Sequence, residues 1–200
     1  MNPLSLKSII LLSTFLLMLK TAQSYEEPEY HIIEKINQIE IREYKGFIKA
    51  EVKVNGGFDE AGNSAFRKLF KYITGNNHTS ENKKISKKIP MTVPVLQEPS
   101  DLSYHFSFVM PKTFTLNSLP TPNDKSIKLK EVKKTTFAVL SYSGTWSEDN
   151  YREAENKLLL TLKKSRIQTI GKPIFARYNS PFSIWFLRRN EVLIEIKKKL

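Results

Sequence analysis

The chain has 200 residues, 40% of them hydrophobic, enough to bury one substantial core or at most two small ones. Its 32 Lys and Arg against 20 Asp and Glu give a net charge of +12, spread along the chain instead of gathered in a tail. This reads as a basic surface that favours anionic partners, not as a nucleic-acid site, and the absence of cysteine excludes disulfides, Cys-zinc sites and cysteine nucleophiles together.

The first 24 residues stand apart. Lys7 precedes an apolar run from Ile9 to Leu19, and small residues at Ala22 and Ser24 follow, the pattern of a signal peptide cleaved after Ser24. The run is too short to span a bilayer comfortably, which takes roughly 20 residues, so no stable membrane span is expected after cleavage; retention as an anchor, suggested by Lys20, is the alternative. The mature chain, 25–200, keeps 30 basic and 20 acidic residues and is expected to be one secreted or lumenal domain, a monomer. Asn77, His78 and Thr79 form a sequon for N-glycosylation at Asn77. The closing "KKKL" reads as a solvated basic end.

Two segments look alike at a spacing of about 88 to 90 residues. Residues 39–57, "IEIREYKGFIKAEVKVNGG", lead into a helical pattern at 58–75; residues 127–144, "IKLKEVKKTTFAVLSYSG", lead into another at 147–165. Strand signals return after each, at Ser86–Leu96 and Tyr104–Met110 and then at Lys172–Tyr178 and Asn190–Ile196, with the Pro-rich connector "LPTPND" between the halves. The pattern predicts an α+β fold built from a duplicated strand-strand-helix-strand-strand unit, its sheets forming an antiparallel sheet or partly closed barrel under two helices.

Within the first half, "KKIPMTVPVLQEP" alternates like a strand through Ile89, Met91, Val93 and Val95, yet carries Pro90, Pro94 and Pro99. Proline supplies no N–H to a ladder, so the segment reads as a strand margin or an interruption, with its alternating apolar residues facing the core.

The second helix has Ser147 as N-cap, Glu148 and Asp149 at its positive end, Lys163, Lys164 and Arg166 at the other, and Leu158, Leu159 and Leu162 as its buried stripe. The first helix has an apolar arc of roughly 160° centred on Phe58, Gly62, Ala65, Leu69 and Tyr72. Phe66 and Phe70 sit at its margin, with Asn63, Arg67 and Lys71 beyond. Two readings stand: a helix buried on two sides by its own protein, or an aromatic shelf bordered by cations, suited to a flat, apolar, anionic ligand.

There is no Gly-rich phosphate loop, no G-x-S-x-G elbow and no H-E-x-x-H motif, and His31, His78 and His105 lie far apart in sequence. Neither a nucleophile nor an acid–base pair stands out, so no enzyme activity is expected. The apolar cluster Phe182, Ile184, Trp185 and Phe186 follows Pro181 in a segment between two strands; it reads either as a lid on the end of a barrel or as a pocket wall facing the first helix.

Six motifs in order resemble the SOUL haem-binding protein family: "PEYHIIEKINQIEIREY" at 28–44, "KIPMTVPV" at 88–95, "FVMP" at 108–111, "LPTPND" at 119–124, "ARYNSPF" at 176–182 and "RRNEV" at 188–192. The resemblance covers essentially the whole mature chain. It implies a distorted antiparallel β-barrel flanked by two helices, and non-catalytic haem or tetrapyrrole binding in a shallow apolar groove beside the first helix. Family pocket positions correspond to Asn63, Phe66, Phe70 and Lys71, and the opposing loop to the stretch Ile184, Trp185 and Phe186. Some members carry a basic residue where this chain has Asn63, another near Ile184, and a His, a proposed iron ligand, where it has Glu43. Contact with haem is therefore expected to be mainly apolar, with Arg67 or Lys71 near the propionates and no metal ligand assigned. The role implied is carrier, scavenger or buffer; the alternative is another small amphipathic ligand, or a partner protein, in the same groove.

Overall fold

A computed structural model describes residues 25–79 and 83–197; the expected signal segment lies outside the described residues. The chain runs β1 (Tyr30–Ile36), β2 (Ile39–Tyr44), β3 (Phe47–Asn55), α1 (Phe58–Ile73), β4 (Asn77–His78), β5 (Val95–Ser100) and β6 (Ser103–Val109). The second half continues with β7 (Thr121–Pro122), β8 (Ile127–Val132), β9 (Thr135–Tyr142), α2 (Glu148–Lys164), β10 (Thr169–Arg177) and β11 (Asn190–Ile196). Among the described residues nine strands form one antiparallel sheet in the order β1-β2-β9-β11-β10-β5-β6-β3-β8, and β4 pairs with β7 apart from it.

This order mirrors itself about the β10–β5 junction. On one side lie β11, β9 and then β2 from the first half of the chain; on the other lie β6, β3 and then β8 from the second half. Each half thus lends its leading strand to the other. The sheet does not close into the expected barrel, because its margins, β1 and β8, do not pair with each other. Both margins are built to stay open. Five of the seven β1 residues are solvent-exposed and its register breaks between Ile32 and Glu34, while β8 carries Lys128, Lys130 and Glu131; charge and bulges are what keep edge strands from recruiting further strands.

Alternation sorts the side chains to two faces. Val192 and Ile194 of β11 pack under α2 with Leu158 and Leu162, whereas Leu193 between them joins Tyr44, Phe137 and Tyr178 on the opposite face. Phe106 and Phe108 of β6 likewise lie under α1 with Ala65, Leu69 and Tyr72. The two helices meet through an aromatic stack in which Phe58 of α1 lies 5.5 Å from Tyr151 of α2 and 5.7 Å from Phe175 of β10. Ser147 caps α2 as expected, its hydroxyl accepting from the Asn150 N–H.

The strand expected at Ser86–Leu96 starts only at Val95. Residues 87–94 form no ladder beyond a single parallel bridge, Thr92 to Glu26, because Pro90 and Pro94 remove the N–H groups a ladder would use. The segment is held by other means. Ile89 N–H donates to Ile73 O at 2.8 Å, Val93 N–H to Glu26 O at 3.0 Å, and the Thr92 hydroxyl to Val109 O at 2.5 Å.

Asn77 is buried, its Nδ2 donating to Tyr72 O at 2.7 Å and Lys87 O at 2.8 Å while its Oδ1 accepts from Lys87 N–H at 2.9 Å. Nδ2 is the atom that would carry a glycan. Both of its hydrogens are engaged at the end of α1, so the atom that the expected glycosylation would modify is buried and hydrogen-bonded in the folded chain. Among the described residues no helix is long and apolar enough to cross a membrane, and no group of three or more His, Asp or Glu is placed to hold a metal ion.

Candidate ligand-binding site

Beside α1 lies a cleft of about 480 Å³, within the roughly 300–1,000 Å³ of small-molecule sites. Helical spacing puts Gly62, Asn63, Phe66 and Phe70 along one wall, and the chain entering β5 supplies a floor of Met91, Val93 and Val95 over Phe106. The far wall is Trp146 with residues 177–181, and Tyr25 closes one end.

The Phe66 and Phe70 rings are four residues apart on the helix and lie nearly parallel, 13° between planes with centroids 5.7 Å apart. Phe66 is steadied edge-on by Phe108 at 5.3 Å. Both remain partly exposed, so they present a flat aromatic surface to the cleft and are not absorbed into the core.

Arg177 is the charged member among the described residues lining the cleft. It ends β10 on the same parity as Phe175, which sets it on the helix-bearing face. Its guanidinium lies 4.8 Å from the Phe175 ring centroid, 5.4 Å from that of Trp146 and 5.8 Å from that of Phe58, and donates to the Gln97 side-chain oxygen. Gln97 in turn donates to Phe58 O at 3.1 Å, tying this cation to the first residue of α1. Gly62 makes the approach possible: a Cβ there would stand 3.3 Å from Arg177 Nη1 and 3.6 Å from the Phe106 ring. The neighbouring Tyr178 hydroxyl donates to Glu191 at 2.6 Å, and burial, reinforced by the Glu191 charge, pushes its pKa far up, so it stays protonated.

Another cleft, about 500 Å³, is lined by Glu26, Glu27, Glu29 and Glu131 together with Lys45, Lys112, Lys133 and Lys134. Its charges answer one another: both Lys45 and Lys112 pair with Glu29, at 2.8 and 3.1 Å. It offers no apolar shelf comparable to that of Phe66 and Phe70.

Of the residues singled out in the sequence, Asn63, Phe66 and Phe70 line the cleft, whereas Arg67, Lys71, Ile184, Trp185 and Phe186 do not. Arg67 and Lys71 each follow a shelf phenylalanine by one residue, and that step turns them about 100° around the helix to solvent. The loop is re-aimed by Arg188, which donates to Pro181 O at 2.7 Å and Ser183 O at 3.0 Å; residues 179–181 then form the wall and the 3-10 turn Trp185–Leu187 points away. Met91, Val93 and Val95, expected to face the core, face the cleft as well. The three histidines lie elsewhere, beside Glu43 (His31), Asn123 (His78) and Glu51 (His105).

The family model described as SOUL heme-binding protein matches residues 25–195. The chain belongs to the SOUL haem-binding protein family. No curated protein matches it. Among solved structures, this SOUL protein is similar to the C-terminal domain of EcmrR, with a TM-score of 0.63 and 10% identity over 81% of this chain and 98% of that one. An uncharacterized conserved protein from Listeria innocua superposes with a TM-score of 0.54 and 10% identity, covering 90% of this chain and 96% of its own. A hydrolase from the same organism gives 0.50 and 12%, covering 91% and 98%. At such identities the likeness is one of fold.

The SOUL motifs divide accordingly. Arg42 of "IREY" donates through Nη1 to both oxygens of the fully buried Glu191 of "RRNEV", at 3.1 and 3.0 Å, with Tyr178 of "ARYNSPF" on the same carboxylate. These residues hold the sheet together. The cleft is shaped by "KIPMTVPV" and by the residues at the start of "ARYNSPF".

Proposed function

We propose that this SOUL protein is a non-catalytic binder of haem or a related tetrapyrrole, acting as a carrier, scavenger or buffer on the secretory route, with the ligand in the cleft beside α1. Family membership supports the ligand class, and the observation that carries the site is the parallel Phe66–Phe70 shelf facing a single lining cation, Arg177. A planar macrocycle stacks on the ring faces and spreads over Met91, Val93 and Val95, while a carboxylate at its edge meets the guanidinium. Among the described lining residues no carboxylate repels that acid group.

Haem would bring its own iron, and the chain supplies binding and orientation. Met91 is the sulfur donor among the described lining residues, and no histidine is among them. Tyr178, held protonated on Glu191, is a hydrogen-bond donor and not a ligand. The lack of a lining histidine favours a second reading, in which the cleft holds another flat amphipathic acid and haem is incidental.

Titration of the purified protein with hemin tests the reading. A saturable Soret change is expected for the wild type and a much weaker one for Phe66→Ala with Phe70→Ala. No saturable change, or one that both replacements leave unaltered, would sink the site. A native mass spectrum of protein from its own source that carries a non-porphyrin acid would establish the second reading.

A further inference from the structure

The segment between β10 and β11 ends in a contiguous apolar tip. Phe182 is 97% exposed, Leu187 68%, Trp185 56%, and Ile184 and Phe186 55% each. Single exposed hydrophobes need no explanation, but five within six residues on a fixed turn do. None of the five lines the cleft, so what the cleft binds does not account for them.

The exposure is built in. Arg188 binds the Pro181 and Ser183 carbonyls and lies 4.5 Å from the Trp146 ring centroid. Backbone bonds from Ser183 N–H to Ser180 O and from Leu187 N–H to Ile184 O, both 3.0 Å, close the turn. The backbone is thus held with its apolar side chains outward.

We propose that this tip, residues 182–187, docks on a lipid bilayer surface that carries anionic headgroups, with Phe182, Trp185, Phe186 and Leu187 entering the interfacial layer. Aromatic side chains next to arginines are the composition of membrane-interface anchors. From Arg177 to Asn190 the sequence holds no carboxylate, Arg188 stands directly beside the tip, and residues 25–200 carry 30 basic against 20 acidic residues, so an anionic surface attracts both the tip and the body behind it. A protein partner suits the tip less well. Five side chains of roughly 150–200 Å² each, about two-thirds exposed, offer roughly 600 Å², short of the roughly 800 Å² per partner of a stable interface.

Vesicle flotation tests this with the purified protein, using phosphatidylcholine vesicles with and without phosphatidylserine. The wild type is expected to float with the serine-lipid vesicles, and brominated lipid to quench its tryptophan fluorescence. Phe182→Ser, Trp185→Ser and Phe186→Ser together are expected to weaken flotation at least tenfold while leaving the far-UV dichroism unchanged. Should that variant misfold, Phe182→Asp at the most exposed position carries the test and is likewise expected to weaken flotation. Wild type that stays off both vesicle types overturns the proposal. So does flotation that the folded variants retain, since charge alone would then suffice, and so does a concentration-dependent dimer that the tip substitutions abolish.

Discussion

Glu191→Gln probes the buried network that joins three of the SOUL motifs. The wild-type carboxylate accepts from Arg42 Nη1 at 3.0 and 3.1 Å, from Arg189 Nε and Nη2 at 3.1 and 3.0 Å, from the Ser141 hydroxyl at 3.1 Å and from the Tyr178 hydroxyl at 2.6 Å. The amide removes the charge and turns one acceptor into a donor facing guanidinium N–H groups. Removing one partner of a buried ion pair costs about 3–5 kcal/mol. Arg42 keeps Glu40 at 2.8 Å and Arg189 keeps Glu27 at 2.9 Å, which places the expected loss near the lower figure, about 3 kcal/mol. In a domain of this size that corresponds to a Tm lower by roughly 6–12 °C. Urea unfolding followed by circular dichroism measures it, with a shifted midpoint and an unchanged slope. The variant is expected to keep hemin binding where it is folded, because Glu191 does not line the cleft. A loss under about 1 kcal/mol would refute the view that these motifs hold the sheet together.

Glu51 gives a pH dependence. Burial alone would raise its carboxyl, but hydrogen bonds from Lys130 and from Lys49 at 2.7 Å outweigh that and hold its pKa at about 2, below the ordinary 4.5. A depressed carboxylate stabilises fully above pH 4.5, and that stability fades as pH falls from 4.5 toward 2. About 2 kcal/mol should disappear over this window, the half-exposed Lys130 trimming the full value, and Glu51→Gln should flatten that part of an acid-unfolding curve. Asn77→Ala leaves the Tyr72 and Lys87 backbone groups without their side-chain partner and should cost about 3 kcal/mol in the same urea assay. Expressed in a host that glycosylates sequons, the chain should show Asn77 unmodified by intact mass, whereas a glycan there would contradict its buried geometry. Arg177→Met should weaken hemin roughly 10- to 100-fold yet leave the affinity for hemin dimethyl ester unchanged; equal loss for both would mean that Arg177 shapes the cleft and does not read the acid.

Local physics made most of the elements legible. Ser147 with its acidic first turn located α2, the wide apolar arc located α1, and β11 spans the expected Asn190–Ile196. Phe66 and Phe70 could be read as a surface because their angle on the helix wheel put them at the edge of the buried arc. The far wall could not be read in the same way. Arg177 comes to face Gly62 through the pairing of β10 with β5, where Arg177 lies opposite Val95 and Phe175 opposite Gln97. Its parity with Phe175 was available in the sequence and was the one signal that pointed to the helix-bearing face. Arg67 and Lys71 stand outside the cleft because closeness along the chain is not closeness on a helix face. The loop residues Ile184, Trp185 and Phe186 lie outside the cleft lining, in a turn that Arg188 holds through two carbonyls, a contact the sequence did not reveal. Closure of the sheet was equally illegible, since it depends on whether β1 and β8 meet, and their exposed and charged residues keep them as free edges.

The most direct measurement is a crystal structure of the protein with hemin bound. The macrocycle is expected against Phe66 and Phe70, over Met91 and Val95, with a propionate on Arg177. Hemin in the 210 Å³ cavity on the opposite face of the sheet, among Tyr44, Phe137 and Leu193, or with its carboxylates turned away from Arg177, would contradict it.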